Sequence, residues 1–247
     1  LWQFSEVIDG MTECCTALDI PITGGNVSFY NETEGRAIYP TPVIGVVGLI
    51  EDASKHATKP FKSADRSIIV LGGLMTTDEN FQGIFGSSQY AQTVIGELWG
   101  QPPWVEPKYE AKVQACVRRL IAEGLVDSSH DLSDGGLAVA VAECAVGSMG
   151  NGGGVGAAVD FRSSEDARRL LFSEEASRIL VTAKKDALKR IDRIVSEFGI
   201  RADEIGTTGG EELKFSQQGK PLFAISLDGL RGAYENSFSA VIEEVLV

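Results

Sequence analysis

The chain has 247 residues, and its 22 basic and 35 acidic side chains give a formal net charge of −13. This length suits one large domain or two small ones. The acidic balance argues against a nucleic acid polymer as a partner, because such binding depends on basic patches. The sequence shows no apolar run of membrane-spanning length and no signal-peptide pattern, so we expect no membrane partner.

The cysteines and histidines limit the metal chemistry that the sequence supports. The four cysteines form no CxxC pair and only two histidines are present, which argues against a zinc cluster. Each cysteine falls on the apolar side of a helix-like stretch, as free core thiols do. We therefore expect reduced thiols and a cytoplasmic location.

The first quarter of the sequence predicts one helix followed by β structure. Apolar residues at helical spacing predict an amphipathic helix at about 2–18. Residues 19–30 read as a strand, a glycine turn and a second strand, and 37–50 is a β-rich run. Residues 51–65 are charged and aperiodic, so we interpret them as a linker. Because the chain begins without Met and inside a helical pattern, we expect a long N-terminal portion to precede it.

The remaining sequence predicts alternating strands and helices. Ser67 opens an apolar run typical of a buried strand, and a helix with period 3.6 begins near Glu106 and ends before Gly124. The later predictions are strands at 125–126, 155–159 and 178–183, helices at 137–145, 166–171 and 186–198, a hairpin at 212–216 and 221–227, and a last helix at 230–245.

The stretch IPITGGNVSFYNE at 20–32 carries the first candidate site. Its two glycines let a ligand approach backbone N–H groups, and Asn26 and Ser28, two residues apart, share one face of a strand. That face suits a metal-bound phosphate and a hydroxylated substrate. A β-hairpin with a Gly-Gly turn explains the same residues without any ligand, and the residue types alone leave both interpretations open.

The motif HDLSDGG at 130–136 is the second candidate site, at the predicted start of a helix. Such a position favours phosphate, although Asp131, Ser133 and Asp134 are also typical helix caps, which is the interpretation that the residues favour. His130 has a side chain suited to general base catalysis, but a lone histidine at a strand end is more often structural.

Three blocks of the sequence resemble one enzyme family. They are GGNVSFYNETEGRAIYPTPVIGVVGLIED, SSHDLSDGGLAVAVAE and LLFSEEASRILVTAKK, in that order. They are similar to blocks of the phosphoribosylformylglycinamidine synthases, ATP-using enzymes of purine biosynthesis. These belong to a superfamily with the aminoimidazole ribonucleotide (AIR) synthetases and the selenophosphate synthetases. The resemblance extends from the first residue to the last.

The resemblance implies an α/β (α+β) fold in two parts. Residues 1–55 would be the tail of an AIR-synthetase-like N-terminal domain, and 56–65 a linker. Residues 66–247 would be a complete AIR-synthetase-like C-terminal domain, with a mixed sheet flanked by helices. The implied activity is ligase chemistry: ATP activates the amide of formylglycinamide ribonucleotide as an iminophosphate, and glutamine-derived ammonia then displaces phosphate.

By residue-for-residue match, the resemblance implies that Gly25 contacts ATP, Asn26 binds Mg²⁺ and Ser28 contacts the small-molecule substrate. It places no catalytic residue in this stretch of chain, and it implies that His130, Asp131 and Asp134 are second-tier candidates lining a cleft. The implied partners are the missing N-terminal half of the same enzyme and a glutaminase subunit or domain. We expect this chain alone to be inactive.

One departure from the family concerns the block FSEEAS. The equivalent segment of the enzyme's first half holds substrate through Glu-Ser-Gln, whereas this chain has Glu174, Glu175 and Ala176. The loss of the amide indicates that this half's own pocket does not hold the substrate. Arg178 is expected to pair with Glu174 or Glu175. Two alternatives stay open: another activity of the superfamily, or a non-catalytic half that binds a structural nucleotide or pairs with its partner half.

Overall fold

A computed structural model of the chain describes residues 2–27, 32–38, 41–74, 85–147 and 154–245. The first element is helix α1 (Trp2–Leu18), as predicted, although none of its residues is buried. It ends where Asp19 adopts a positive φ of 54° and Ile20 donates its N–H to the carbonyl of Cys15 at 2.9 Å. A short antiparallel hairpin follows, with strands β1 (Glu32–Thr33) and β2 (Arg36–Ala37).

The β structure predicted around this hairpin is wrong within the described residues. Residues 20–27 and 41–50 are exposed and form no strand. A strand exists only where its backbone groups pair with a neighbour, and no described strand lies beside either segment. The β-branched run is nevertheless present, and Val43 and Val47 are 95% and 99% exposed.

The second part of the chain is built on a mixed sheet of seven strands in the described residues. The strands are β3 (Ser67–Leu71), β4 (Ser128–Asp131), β5 (Ala157–Phe161), β6 (Ile179–Ala183), β7 (Ala202–Thr208), β8 (Glu212–Gln217) and β9 (Lys220–Ser226). Their order is β4-β6-β3-β7-β5-β8-β9, and only the β5–β8 pair is parallel. The predicted mixed sheet is confirmed.

Helices cover both faces of this sheet. The described helices are α2 (Pro107–Ala122), α3 (Gly136–Val146), α4 (Ala167–Phe172), α5 (Leu188–Phe198) and α6 (Leu227–Val245). Alternate residues of β3 point to opposite faces. Ile68 and Val70 join a core with α3, α4 and α6, while Ile69 and Leu71 join a core with α2 and α5. All five residues of β3 are buried, so this strand is the centre of the domain.

Two thiols lie in these cores, as the sequence predicts. Burial raises the pKa of the Cys116 thiol to about 11 and that of Cys144 to about 12, so both stay protonated at neutral pH. Cys14 and Cys15 on α1 are only half-buried. Among the described helices, none is both long and apolar enough to cross a membrane.

Two strand predictions need correction. Residues 125–126 form no strand, and the strand in this region is β4, which begins at Ser128. His130 and Asp131 therefore lie on a strand. β7 was missed because it carries little apolar sequence, with Ile205 its buried large side chain. Gly206 lets β7 pack closely against β5, because a Cβ at this position would lie only 2.1 Å from the carbonyl oxygen of Ala158.

Residues 58–65 run along the sheet without regular structure. Ser129 of β4 donates its N–H to the Thr58 carbonyl at 3.1 Å, and Phe61, which is fully buried, donates to the carbonyl of Cys144 at 2.9 Å. Asp65 donates to the carbonyl of Thr208 at 2.9 Å. The end of the expected linker is therefore packed onto the sheet.

Candidate functional site

The first predicted site, at Gly25 and Asn26, is open to solvent. Both residues are exposed and lie outside any helix or strand. A Cβ added at Gly24 or Gly25 would meet no atom within 4 Å, so the backbone here leaves room for a ligand. Ser28, the predicted substrate contact, lies outside the described residues. The geometry is thus compatible with the predicted contacts of Gly25 and Asn26, which stay predictions.

The structure does not join the two predicted sites. Within the described residues, no hydrogen bond or ion pair connects Asn26 with His130, Asp131 or Asp134. No group of three or more His, Cys, Asp or Glu side chains in this part of the chain could hold a metal ion. The amide oxygen of Asn26 fits the oxygen preference of Mg²⁺.

His130 is held in place by neighbouring charges. Its Nε2 lies 2.6 Å from Glu143 Oε2, and its Nδ1 lies 3.3 Å from Asp131 Oδ1. Lys59 Nζ lies 3.9 Å from the same Glu143 oxygen. Both ring nitrogens thus have partners on this chain, and the imidazole is largely buried. This arrangement favours the structural interpretation of His130 over a general base.

The start of α3 differs from the capping arrangement that the sequence favoured. The N-cap is Gly135, and no side chain at the cap accepts a hydrogen bond, so capping by Asp131, Ser133 or Asp134 is wrong. Instead, Glu174, which lies 39 residues later in the sequence, accepts the Gly135 N–H through its Oε1 at 2.7 Å. The same oxygen accepts the N–H of Gln89 at 2.8 Å. One carboxylate oxygen therefore joins two distant segments.

The glycine pair of the motif makes this approach possible. Gly135 and Gly136 have φ of +78° and +66°, in the left-handed region that favours glycine. A Cβ at Gly136 would lie 2.6 Å from the Ser173 carbonyl oxygen and 2.9 Å from the carbonyl carbon of Phe172. The start of α3 can thus touch the backbone that leads to Glu174. The glycines serve close packing, which the sequence alone did not distinguish from phosphate binding.

Arg178 fixes the loop that carries Glu174. Its guanidinium donates to the backbone carbonyls of Ser173, Glu175 and Leu74, the last at 3.1 Å. Of the two ion-pair partners expected for Arg178, Glu174 is wrong, because its carboxylate accepts backbone N–H groups instead. Glu175 is the carboxylate that interacts electrostatically with Arg178. Burial lowers the pKa of Arg178, and the nearby Glu175 carboxylate offsets part of this effect.

The segment 85–99 completes the arrangement. The Tyr90 ring stacks on Phe172, with centroids 4.8 Å apart and planes inclined by 26°. The backbone N–H of Trp99 donates to the Gly86 carbonyl at 3.0 Å, so the two ends of the segment lie side by side. The structure therefore brings together three stretches of sequence, at 85–99, 130–136 and 172–178. The sequence held no signal for the part that Glu174 plays, since a Glu in such a loop equally suggests an ion pair.

Comparison with known proteins identifies relatives of the whole chain. The description "AIR synthase related protein, C-terminal domain" matches residues 64–216, and "AIR synthase related protein, N-terminal domain" matches residues 1–50. The phosphoribosylformylglycinamidine synthase subunit PurL of Moorella thermoacetica is 41% identical over 241 residues. That alignment covers 98% of this chain and 31% of the relative.

Solved structures share the fold. PurL of Thermotoga maritima complexed with FGAR superposes with a TM-score of 0.59 at 21% identity, covering 72% of this chain and 30% of that one. The same protein complexed with ATP gives a TM-score of 0.55 at 18% identity, covering 72% and 28%.

The chain spans about a third of the length of the curated relatives that it matches. The resemblance to the phosphoribosylformylglycinamidine synthases is thus confirmed by sequence, and the fold agrees with solved structures of one of them. Because the C-terminal-domain description alone spans more than half of its residues, the chain belongs to the AIR synthase related proteins.

Proposed function

We propose that this chain is part of the synthetase of phosphoribosylformylglycinamidine synthase. The reaction would convert formylglycinamide ribonucleotide, ATP and glutamine-derived ammonia to formylglycinamidine ribonucleotide in purine biosynthesis. The observation that best supports this is the 41% identity, over nearly the whole chain, to a subunit of that name. The AIR synthetases and selenophosphate synthetases have different substrates, so the choice of substrate is part of the proposal.

In this proposal the exposed stretch around Gly25 supplies one wall of the active site. The backbone of Gly25 has room for the phosphates of ATP, Asn26 presents an amide oxygen to Mg²⁺, and Ser28 contacts the substrate. Mg²⁺, when bound, would offset the charge of the transferred phosphate. ATP would activate the amide oxygen as an iminophosphate, and ammonia would then displace phosphate.

The proposed domains and partners take account of the exposed surface of residues 1–55. We propose that residues 1–55 belong to an N-terminal-type domain, 56–65 to a linker and 66–247 to a C-terminal-type domain. The apolar run at 43–50 is exposed, as expected if further strands of the enzyme pair with it. The proposed partners are the N-terminal half of the synthetase and a glutaminase subunit or domain, in the cytoplasm.

A second candidate is a non-catalytic half that pairs with the remainder of the enzyme. The hydrogen bond from the Gly135 N–H to Glu174 supports this second candidate for the C-terminal part of the chain. The start of α3, where a phosphate could bind, is occupied by the chain's own carboxylate. In that case Asn26 would have no effect on turnover.

The test is a reconstitution. The chain is mixed with the rest of the synthetase, complex formation is confirmed by gel filtration, and ADP release is followed with Mg-ATP, ammonia and formylglycinamide ribonucleotide. Loss of a residue that only supports a metal ligand typically costs about 10- to 100-fold, so we expect Asn26→Ala, which removes a proposed ligand, to lower substrate-dependent release by at least about tenfold.

Asn236→Ala is the matched control, because it removes the same amide group from an exposed position on α6. It should leave turnover unchanged. A confirmed complex without substrate-dependent release would reject the substrate assignment. Full activity of Asn26→Ala would reject its role and favour the non-catalytic half.

A further inference from the structure

The segment 85–99 is buried in its first half and exposed in its second half: Gly86, Ser88 and Ala91 are buried, whereas residues 92–99 are exposed. Several of its large apolar side chains point to solvent, and Val94 and Leu98 are 65% and 55% exposed. Its described attachments to the domain include the stacking of Tyr90 on Phe172 and the bond from the Gln89 N–H to Glu174. Segments with few buried contacts open at a small fraction of the free energy of global unfolding.

The Glu174 carboxylate joins this segment to the start of α3. Its Oε1 is shared by the N–H groups of Gln89, 85 residues earlier in the chain, and of Gly135, 39 residues earlier. Hydrogen bonds to a charged acceptor are stronger than those between neutral groups. The carboxylate thus links the segment directly to the N–H of Gly135, the N-cap residue of α3.

The backbone on either side of Glu174 is held by Arg178. The buried guanidinium of Arg178 donates to the carbonyls of Ser173 and Glu175, the residues on either side of Glu174. Arg178 is only 3% exposed. The carboxylate therefore projects from a backbone that Arg178 holds on both sides, whereas residues 92–99 of the segment are exposed.

We propose that Glu174 is a latch that holds segment 85–99 against the start of α3, and that release of this carboxylate is the step by which the segment opens. The latch needs an acceptor oxygen at this position, and the carboxylate charge strengthens both of its bonds to backbone N–H groups. This inference does not depend on the reaction proposed above.

Hydrogen exchange on the 247-residue chain tests the latch, read at the amides of residues 85–96 and of Gly135. Glu174→Ala should speed exchange at Gln89 and Gly135 by at least about tenfold, the change expected when a hydrogen bond to a charged group is lost. Glu174→Gln should exchange at a rate between those of the parent and Glu174→Ala, because its amide oxygen can accept the same two N–H groups but carries no charge.

Two further variants separate geometry from charge. Glu174→Asp keeps the charge but withdraws the oxygen by one methylene, so exchange should rise as it does for alanine. Asp134→Asn removes a charge from the exposed loop beside α3 without removing either bond, and exchange should not change. Far-ultraviolet circular dichroism verifies that each variant is folded.

The result that overturns the proposal is unchanged exchange at Gln89 in both Glu174→Ala and Glu174→Asp. Faster exchange in Glu174→Gln, equal to that of alanine, would also overturn it, since the oxygen position would then not be what matters. Faster exchange at residues 85–96 that leaves amides of the central strand β3 unaffected is the supporting outcome.

Discussion

At the scale of single residues, Asp166 shows how one side chain can fix the start of a helix. Its carboxylate caps α4 by accepting the Arg168 N–H at 2.8 Å, and the Arg168 side chain also donates to it at 2.8 Å. These bonds, the side-chain bond from Arg168 first, lower the Asp166 pKa to about 2 from the model-peptide value of 3.8. The charged form is therefore favoured in the folded chain.

We expect Asp166→Ala to lower the free energy of unfolding by about 1 kcal/mol at neutral pH, because the cap is lost. Since the folded pKa is depressed, this contribution is complete above about pH 4. It disappears as the pH falls through about 2, so the difference between parent and variant should shrink in that range. Urea unfolding as a function of pH measures it.

The conservative variant Asp166→Asn serves as the control. It keeps an oxygen that can cap the helix but removes the titrating group, so its stability relative to Asp166→Ala should not change between pH 4 and pH 2, whereas the parent should approach both variants over that range. Equal urea midpoints for Asp166→Ala and the parent at neutral pH would show that the cap does not stabilise the chain.

At the scale of elements, the start of α3 depends on the absence of a side chain at Gly136. A Cβ there would meet the Ser173 carbonyl oxygen at 2.6 Å, whereas at Gly124, which has the same φ of +66°, a Cβ would meet nothing within 4 Å. Both substitutions to alanine carry the cost of a left-handed residue, about 1–2 kcal/mol. We expect Gly136→Ala to cost clearly more, because backbone atoms must also move.

Urea unfolding of the two alanine variants, side by side, measures this difference. Because the control matches the backbone angle, any excess loss in Gly136→Ala reports the close approach of α3 to the Glu174 loop. If Gly124→Ala and Gly136→Ala lose the same free energy of unfolding, the close approach has no energetic weight.

Elements with their own periodic signal could be predicted from the sequence. The stripe of Val113, Val117 and Leu120 located α2, and the uninterrupted apolar run located β3. β7 could not be located in this way, because its place in the sheet depends on a glycine that allows close packing against β5. The run at 43–50 shows the opposite case: strand-like residues form no strand without a partner to pair with.

The candidate site could be predicted only in part, for a related reason. Gly25 and Asn26 came from resemblance to a family, and their exposure fits the prediction without testing it. The tie from Glu174 to Gln89 and Gly135 depends on side chains brought together from three stretches of sequence. Local pattern cannot distinguish a carboxylate that accepts backbone N–H groups from one that pairs with an arginine.

At the scale of the whole molecule, the chain carries one wall of the proposed active site. Within the described residues no cluster of acidic side chains or histidines could hold a metal ion. If the active site is shared as proposed, this chain alone, given Mg-ATP, ammonia and formylglycinamide ribonucleotide, should release no ADP above the rate without protein. The reconstituted enzyme in the same assay is the positive control. Turnover by the chain alone would reject the shared active site.

The sheet order also affects how the chain is made. The central strand β3 lies between β6 and β7, which follow it by more than a hundred residues of sequence. At about 5–20 residues per second, a ribosome needs roughly 7–27 s to synthesise the chain from the end of β3 to the end of β7. The side chains of β3 lack their neighbouring strands during that interval. Pairing of such distant strands is slow. The nascent chain is therefore most prone to aggregate, and most in need of a chaperone, before residue 208 leaves the exit tunnel.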